Sequence, residues 1–243
     1  MLRLWALKEK DYNMFHWLEK HPFFFAVGVF LVISFAGLVE ILPNFAQQSR
    51  PVIGTAPYST LELAGRHVYI KNSCNACHSQ LVRPFKSETD RYGHYSLSGE
   101  YAYDRPFLWG SKRIGPDLMR VGNYRTTDWH ENHMKNPAGV VPGSVMPAYG
   151  WMFTSNADID TAFAEQLTIA QFFSVPYNKP VPMKDGSTKI VKMGSSVADA
   201  NALALAEAKV IAADMKDQDV KDAVAKGEIP EIVALIAYLN SLK

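Results

Sequence analysis

Residues 74–78 read Cys74-Asn75-Ala76-Cys77-His78 and hold the only two cysteines in a chain of 243 residues. A C-x-x-C-H pentapeptide is the attachment sequence of a covalent c-type haem. Residues three apart on one helical turn share a face, so both sulfurs can reach the two vinyl groups of one porphyrin. His78 then presents a ring nitrogen to the iron. A redox dithiol or a zinc site would use the same cysteines, but the first wants a βαβ setting and the second four ligands. Neither pattern surrounds the pentapeptide. Cys74 and Cys77 are therefore read as the thioether sites of one haem c, and His78 as its proximal ligand.

Upstream, Ser59 is placed to cap a helix carrying Leu61, Ala64, Val68 and Tyr69, with Glu62 completing a capping box. This helix holds His67 and leads into the pentapeptide, which puts the haem at a helix end. Downstream, Pro84 to Gly110 is dense in Tyr, Phe, Trp and Arg without clear period and reads as an ordered loop. Long irregular loops usually bind something. The segment 91–113, with Tyr101 and Trp109, then faces a partner, or the aromatics simply wall a haem crevice. Arg83, Arg91, Arg105 and Arg113 suit haem propionates or acidic neighbours, and any one of them can equally be a solvated surface charge.

Thr126 and Thr127 cap a short helix with Trp129, His133 and Met134, closed by Pro137 and Gly139. Met146 follows in a proline-stiffened, non-periodic run, where a thioether is aimed rather than packed. It is the candidate sixth ligand of the iron, with His94, His130 and His133 as rivals; His/Met ligation gives the higher reduction potential. Met119, Met134 and Met152 read as packing residues. Asp158 to Phe173 has the spacing of a core helix, and Tyr177 to Ser196 reads as a loop. Ala198 to Lys226 gives one or two exposed helices. Pro230 opens a last helix through Ile232, Leu235, Ile236, Leu239 and Leu242.

Near the N-terminus, Phe23 to Val39 carries no charge, and Ile41 and Leu42 extend the run past Glu40 to membrane-spanning length. The preceding segment contains Glu9, Asp11 and Glu19, and no A-x-A cleavage site follows, so the run reads as a retained anchor rather than a signal peptide. Arg3, Lys8, Lys10 and Lys20 precede it, whereas only Arg50 follows before Thr60. The positive-inside rule then leaves the N-terminus cytoplasmic. Trp5 and Trp17 suit the interfacial belt, and Glu40 snorkels or meets a partner helix. The expected organisation is 1–22 cytoplasmic, 23–42 transmembrane, 43–58 linker and 59–243 a domain across the membrane, periplasmic in a Gram-negative cell. Formal net charge is +1 for the whole chain, so no global field attracts nucleic acid. No Gly-rich phosphate loop, Ser-His-Asp order or paired-carboxylate motif stands out, which argues against a side-chain active site.

Four runs resemble class I cytochrome c: AGRHVYIKNSCNACH (64–78), IGPDL (114–118), VPGSVMPAYGW (141–151) and IVALIAYLNSL (232–242). The anchor, the length and the stretch RYGHYSLSGEYAYDRPFLWGSKRIGPDLMRVG (91–122) are similar, more specifically, to the monohaem subunit of the cbb(3)-type cytochrome c oxidases. The resemblance covers nearly the whole chain. It implies a mainly α fold: one N-terminal transmembrane helix, then a class I cytochrome c domain with loop insertions. Gly115 and Pro116 would pack beside His78, and Met146 would be the distal ligand. It also implies a bacterial inner-membrane complex with a haem-copper catalytic subunit and a dihaem cytochrome c subunit, reducing oxygen to water and pumping protons. Within it this chain would relay electrons. Other readings are the haem c subunit of nitric oxide reductase, a haem-based sensor or peroxidase, and a free membrane-anchored shuttle.

Overall fold

The computed structural model describes residues 15–46 and 50–243. The readings that rest on Arg3, Trp5, Lys8, Glu9, Lys10 and Asp11 lie outside the described residues. Two compact units are present, one ending at Gln48 and the other running Ser49–Lys243.

The first unit is built on α1 (Pro22–Ala46). Pro22 opens it, a position where the missing N–H costs nothing. Pro22–Leu42 spans 21 residues with none of them buried, about 32 Å at the helical rise, close to the thickness of a bilayer's hydrocarbon core. It is long and apolar enough to cross a membrane. At its start the Trp17 ring stacks on His21 with centroids 4.4 Å apart and tilts against Phe24 at 5.6 Å. The helix continues beyond Leu42 to Ala46, so the segment read as a linker from residue 43 begins as helix.

The second unit is mainly helical. In chain order it holds α2 (Thr60–Lys71), α3 (Lys86–Tyr92), α4 (Thr127–Lys135), the single turn α5 (Pro137–Val140), α6 (Ile159–Phe173), strands β1 (Pro180–Pro182) and β2 (Thr188–Ile190), α7 (Val197–Ala213), α8 (Gln218–Ala225) and α9 (Glu231–Ser241). The capping box at α2 is complete: Ser59 Oγ accepts from the Glu62 N–H at 3.1 Å, and the Glu62 carboxylate accepts from the Ser59 N–H at 2.8 Å. Asp158 caps α6 through the Thr161 N–H at 2.9 Å. Pro230 precedes α9 as expected.

α2 and α9 cross at the centre of the core. Leu61, Ala64, Val68 and Tyr69 of α2 meet Ile232, Leu235, Ile236 and Leu239 of α9, all buried. The crossing is close because of Gly65. A Cβ there would sit 2.5 Å from the Ala234 carbonyl carbon and 2.9 Å from Tyr238 Cβ. The Tyr238 ring packs edge-on to Tyr58 and Tyr69 at 5.6 Å each, and its hydroxyl donates to Gln80 Oε1 at 2.9 Å. α6 and α7 pack against α2.

Three segments differ from the sequence reading. The stretch 84–110 is not all loop: it contains α3 and a 3-10 turn at Ser98–Tyr101. α3 has no apolar stripe to betray it, because polar pairing replaces apolar packing as its anchor. The Glu88 carboxylate pairs with the Arg83 and Arg113 guanidiniums and accepts the Arg83 N–H at 2.9 Å. Residues 177–196 contain an antiparallel hairpin, with Val181 opposite Lys189 and a turn at Asp185-Gly186 where Gly186 has φ 80°. The prolines at 180 and 182 are tolerated because a two-stranded sheet has only edges. Finally, α7 is not simply exposed. Ala200, Ala204, Ala208 and Ala212 recur every fourth residue and are buried, a small-residue stripe that lets the helix lie close to the core.

The Glu88 cluster carries a pH dependence. Burial alone would raise its carboxyl, but hydrogen bonds from Arg113 and Arg83 outweigh this and hold it down to about 2. The native state therefore gains stability from ionised Glu88 above the ordinary carboxylate range, and loses it as pH falls through about 2. Glu88→Gln is expected to cost about 2 kcal/mol at pH 7 and much less at pH 2. Urea unfolding at both pH values reads the difference; an equal loss at both would refute it.

Candidate functional site: a haem cavity

The α2 helix stops where Ser73 takes up the left-handed conformation, φ 54°. The pentapeptide then forms its own 3-10 turn at Cys74–Ala76 rather than continuing the helix. The Cys77 and His78 N–H groups both donate to the Cys74 carbonyl, at 3.2 and 2.9 Å. This turn opens onto a cavity of about 650 Å³ whose lining includes Cys74, Cys77, His78, Gly115, Pro116 and Met146. Residues far apart in sequence thus share one enclosure.

The proximal side is fixed by two pieces of chain hydrogen-bonded to each other. Gly115 N–H donates to the Cys77 carbonyl at 2.9 Å, and Leu118 N–H to the Ser79 carbonyl at 2.8 Å. Buried Asp117 accepts from the Ser79 hydroxyl at 2.6 Å and the Leu81 N–H at 2.8 Å. His78 Nδ1 lies 2.8 Å from the Pro116 carbonyl. A carbonyl only accepts, so Nδ1 carries the proton and donates, which leaves Nε2 with its lone pair free. Burial lowers the His78 pKa, against the upward pull of that carbonyl, and the ring stays neutral. Gly115 is required by contact: a Cβ would fall 2.7 Å from Nδ1 and 2.8 Å from Nε2 of His78.

Met146 sits in the irregular stretch between α5 and the 3-10 turn at Gly150–Phe153. Gly143, at φ 80°, turns the chain, and Tyr149 N–H donates to the Met134 carbonyl at 2.8 Å, tying the stretch to α4. The Met146 side chain is half-buried against the core, while its neighbour Val145 is 82% exposed at the rim.

α4 supplies another wall through Trp129, His130, His133 and Met134. Thr126 caps it, as expected, through the Trp129 N–H at 3.3 Å. His130 is 1% exposed, and neither ring nitrogen has a hydrogen-bond partner. Burial, then His133 and Arg125, push its pKa down to about 4, so the ring is neutral. Of the rival histidines, His94 is elsewhere, its ring stacked on Tyr95, while His130 and His133 do line the cavity. Met119, Met134 and Met152 are buried, and Met134 also faces the cavity. His67 pairs with Glu165 across to α6. Tyr101 is buried and donates to the Gln80 carbonyl at 2.8 Å, so it packs rather than faces outward. Phe107 and Trp109, half-exposed, stack at 4.6 Å beside it. Sequence reasoning missed Arg125, which lines the cavity with its guanidinium 4.2 Å from the Trp129 ring centre.

The sequence profile of the cytochrome c oxidase mono-haem subunit family, FixO, matches residues 15–243. The chain belongs to this family. A search of curated proteins finds no match. Membership makes the chain a mono-haem subunit of a cytochrome c oxidase, with other oxidase subunits and a membrane as its setting.

The residues present fit a haem. An apolar cavity holds two thiols three residues apart, an imidazole with a free Nε2 oriented by a carbonyl, and a thioether on a separate segment. The missing Cβ at Gly115 gives the imidazole its room.

Proposed function

We propose that this FixO-family chain is the membrane-anchored electron-relay subunit of a cbb(3)-type haem-copper oxidase, passing electrons towards a haem b and copper catalytic subunit. A dihaem cytochrome c subunit is its second partner. The observation that carries the reading is the convergence of Cys74, Cys77, His78 and Met146 on one cavity.

In this reading Cys74 and Cys77 would hold the haem through thioether bonds, His78 Nε2 and Met146 Sδ would bind its iron, and Gly115 and Pro116 would position the imidazole. A haem so held supplies one-electron redox chemistry. The protein's part would be to offer two side chains of its own to the iron, and to orient the His78 imidazole through the Nδ1–H donated to the Pro116 carbonyl, which leaves Nε2 free. Arg125 raises the positive potential around His130 and His133, a setting that suits carboxylates rather than a cationic iron. Met146 is uncharged and polarizable, which suits an iron ligand better. Anchoring through α1 with the N-terminus cytoplasmic would put the second unit in the periplasm of the bacterial inner membrane, where it meets its electron donors.

Met146→His tests the ligation. The variant is expected to keep covalent haem while its reduction potential drops on the order of 0.1 V or more, because a second imidazole stabilises the ferric state. Spectroelectrochemical titration reads it, and an unchanged potential would refute the assignment.

A further inference from the structure

Both acid groups of a porphyrin must be accommodated if a haem fills this cavity, because carboxylates facing an apolar enclosure need counter-charges or hydrogen-bond donors. Three of the arginines around residues 83–113 are engaged elsewhere. Arg83 and Arg113 pair with Glu88. Arg105 donates to the Asp104 carbonyl at 2.6 Å and lies over the Phe173 ring at 4.9 Å. Arg91 is different: it lines the cavity, as does Arg125, and among the described residues no carboxylate side chain belongs to that lining.

Each of these two cations lies over an aromatic ring. Arg91 lies 5.1 Å from the Tyr92 ring centre, and Arg125 lies 4.2 Å from Trp129 and 5.5 Å from Tyr124. Tyr124, whose ring lies under Arg125, lines the same cavity as both guanidiniums. His130 lines the same cavity, within the field of Arg125, with both ring nitrogens buried and unpartnered. An orphaned buried donor of this kind is costly unless something in the cavity satisfies it. Stacking on aromatic faces holds a guanidinium in place before its ligand arrives.

We propose that Arg91 and Arg125 bind the two haem propionates, with the His130 ring donating a hydrogen bond to one of them. The planar guanidinium fork matches a carboxylate bidentately. Two positive charges then face the two negative ones, and the unpartnered imidazole gains its acceptor. This rests on the haem reading of the cavity. It also assigns these residues an electrostatic role, since cations near the haem disfavour the ferric form and raise the potential.

The test uses the full chain in its native membrane complex, as Arg91→Gln and Arg125→Gln, with Arg→Lys at each position. Haem stain on a denaturing gel reports attachment. Reduction potential and redox-difference infrared spectra with carbon-13-labelled propionates report the contact. Both Gln variants are expected to keep covalent haem, show a lower potential and shift the labelled carboxylate bands, with Lys recovering most of the potential. Attached haem with potential and labelled bands unchanged in both Gln variants would overturn the proposal while leaving the haem reading intact. A wild-type chain with no covalent haem would instead overturn the haem reading itself. Should a Gln variant fail to accumulate, the Lys variant carries the test: its ammonium cannot bind bidentately, so its bands must shift, and unchanged bands would count as refutation.

Discussion

Replacing both Cys74 and Cys77 by alanine is expected to abolish covalent haem completely, with no haem stain at the position of this chain on a denaturing gel. Nothing else in the sequence can substitute, because these are its only cysteines. The effect should reach beyond the bond. The cavity is about 650 Å³ and lies against the core: Cys74, Leu118, Met146 and Tyr149 touch the main cluster, and Leu235 and Leu239 of α9 line the cavity while packing in that cluster. A void of that size against the main cluster forfeits packing on every side. The double variant should therefore accumulate poorly, and the oxidase with it. A stable variant with stain retained would contradict the thioether assignment.

Gly65→Ala should unfold the second unit or cost it at least about 3 kcal/mol, beyond the usual penalty for overpacking. Helix propensity alone predicts the opposite sign, since alanine favours a helix interior over glycine by about 1 kcal/mol. The crossing decides the matter. The added methyl would meet the Ala234 carbonyl, which belongs to the backbone of α9 and cannot swing aside as a side chain can. Since α2 leads into the Cys74–His78 turn and α9 contributes Leu235 and Leu239 to the cavity wall, separating the helices would also open the cavity. Thermal unfolding of the variant reads the effect, and a stability equal to or above wild type would refute it.

Much of this architecture was legible from local signals. The box of Ser59 and Glu62, Asp158 ahead of α6 and Pro230 ahead of α9 mark helix starts by hydrogen-bond chemistry confined to one turn, and the apolar periodicity of α6 and α9 runs through whole elements. The pentapeptide was legible for the same reason: its chemistry lies within five consecutive residues. α3 was not, because seven residues with an ion-paired anchor carry no apolar stripe. The hairpin was hidden by its prolines, which exclude a central strand but not an edge. The alanines of α7 read as exposed because alanine is as common on helix surfaces as in close helix contacts. Arg91 and Arg125 illustrate the hardest class. Arginine looks alike along the chain, and only the fold separates those held by Glu88 from those that face the cavity. Met146, Gly115 and Pro116 occupy a middle ground: a proline-stiffened run drew attention to the first and the family resemblance to the other two, but only folding places all three on one cavity with His78.

The most direct measurement is an inventory of the haems and metals that co-purify with this chain in mild detergent from its native membrane. An electron relay of a cbb(3)-type oxidase should come out with haem b, copper and more haem c than one chain can carry. Haem b with non-haem iron and no copper would contradict that role and point to a nitric oxide reductase. Haem c alone, at one per chain, would leave the protein a shuttle without a permanent partner.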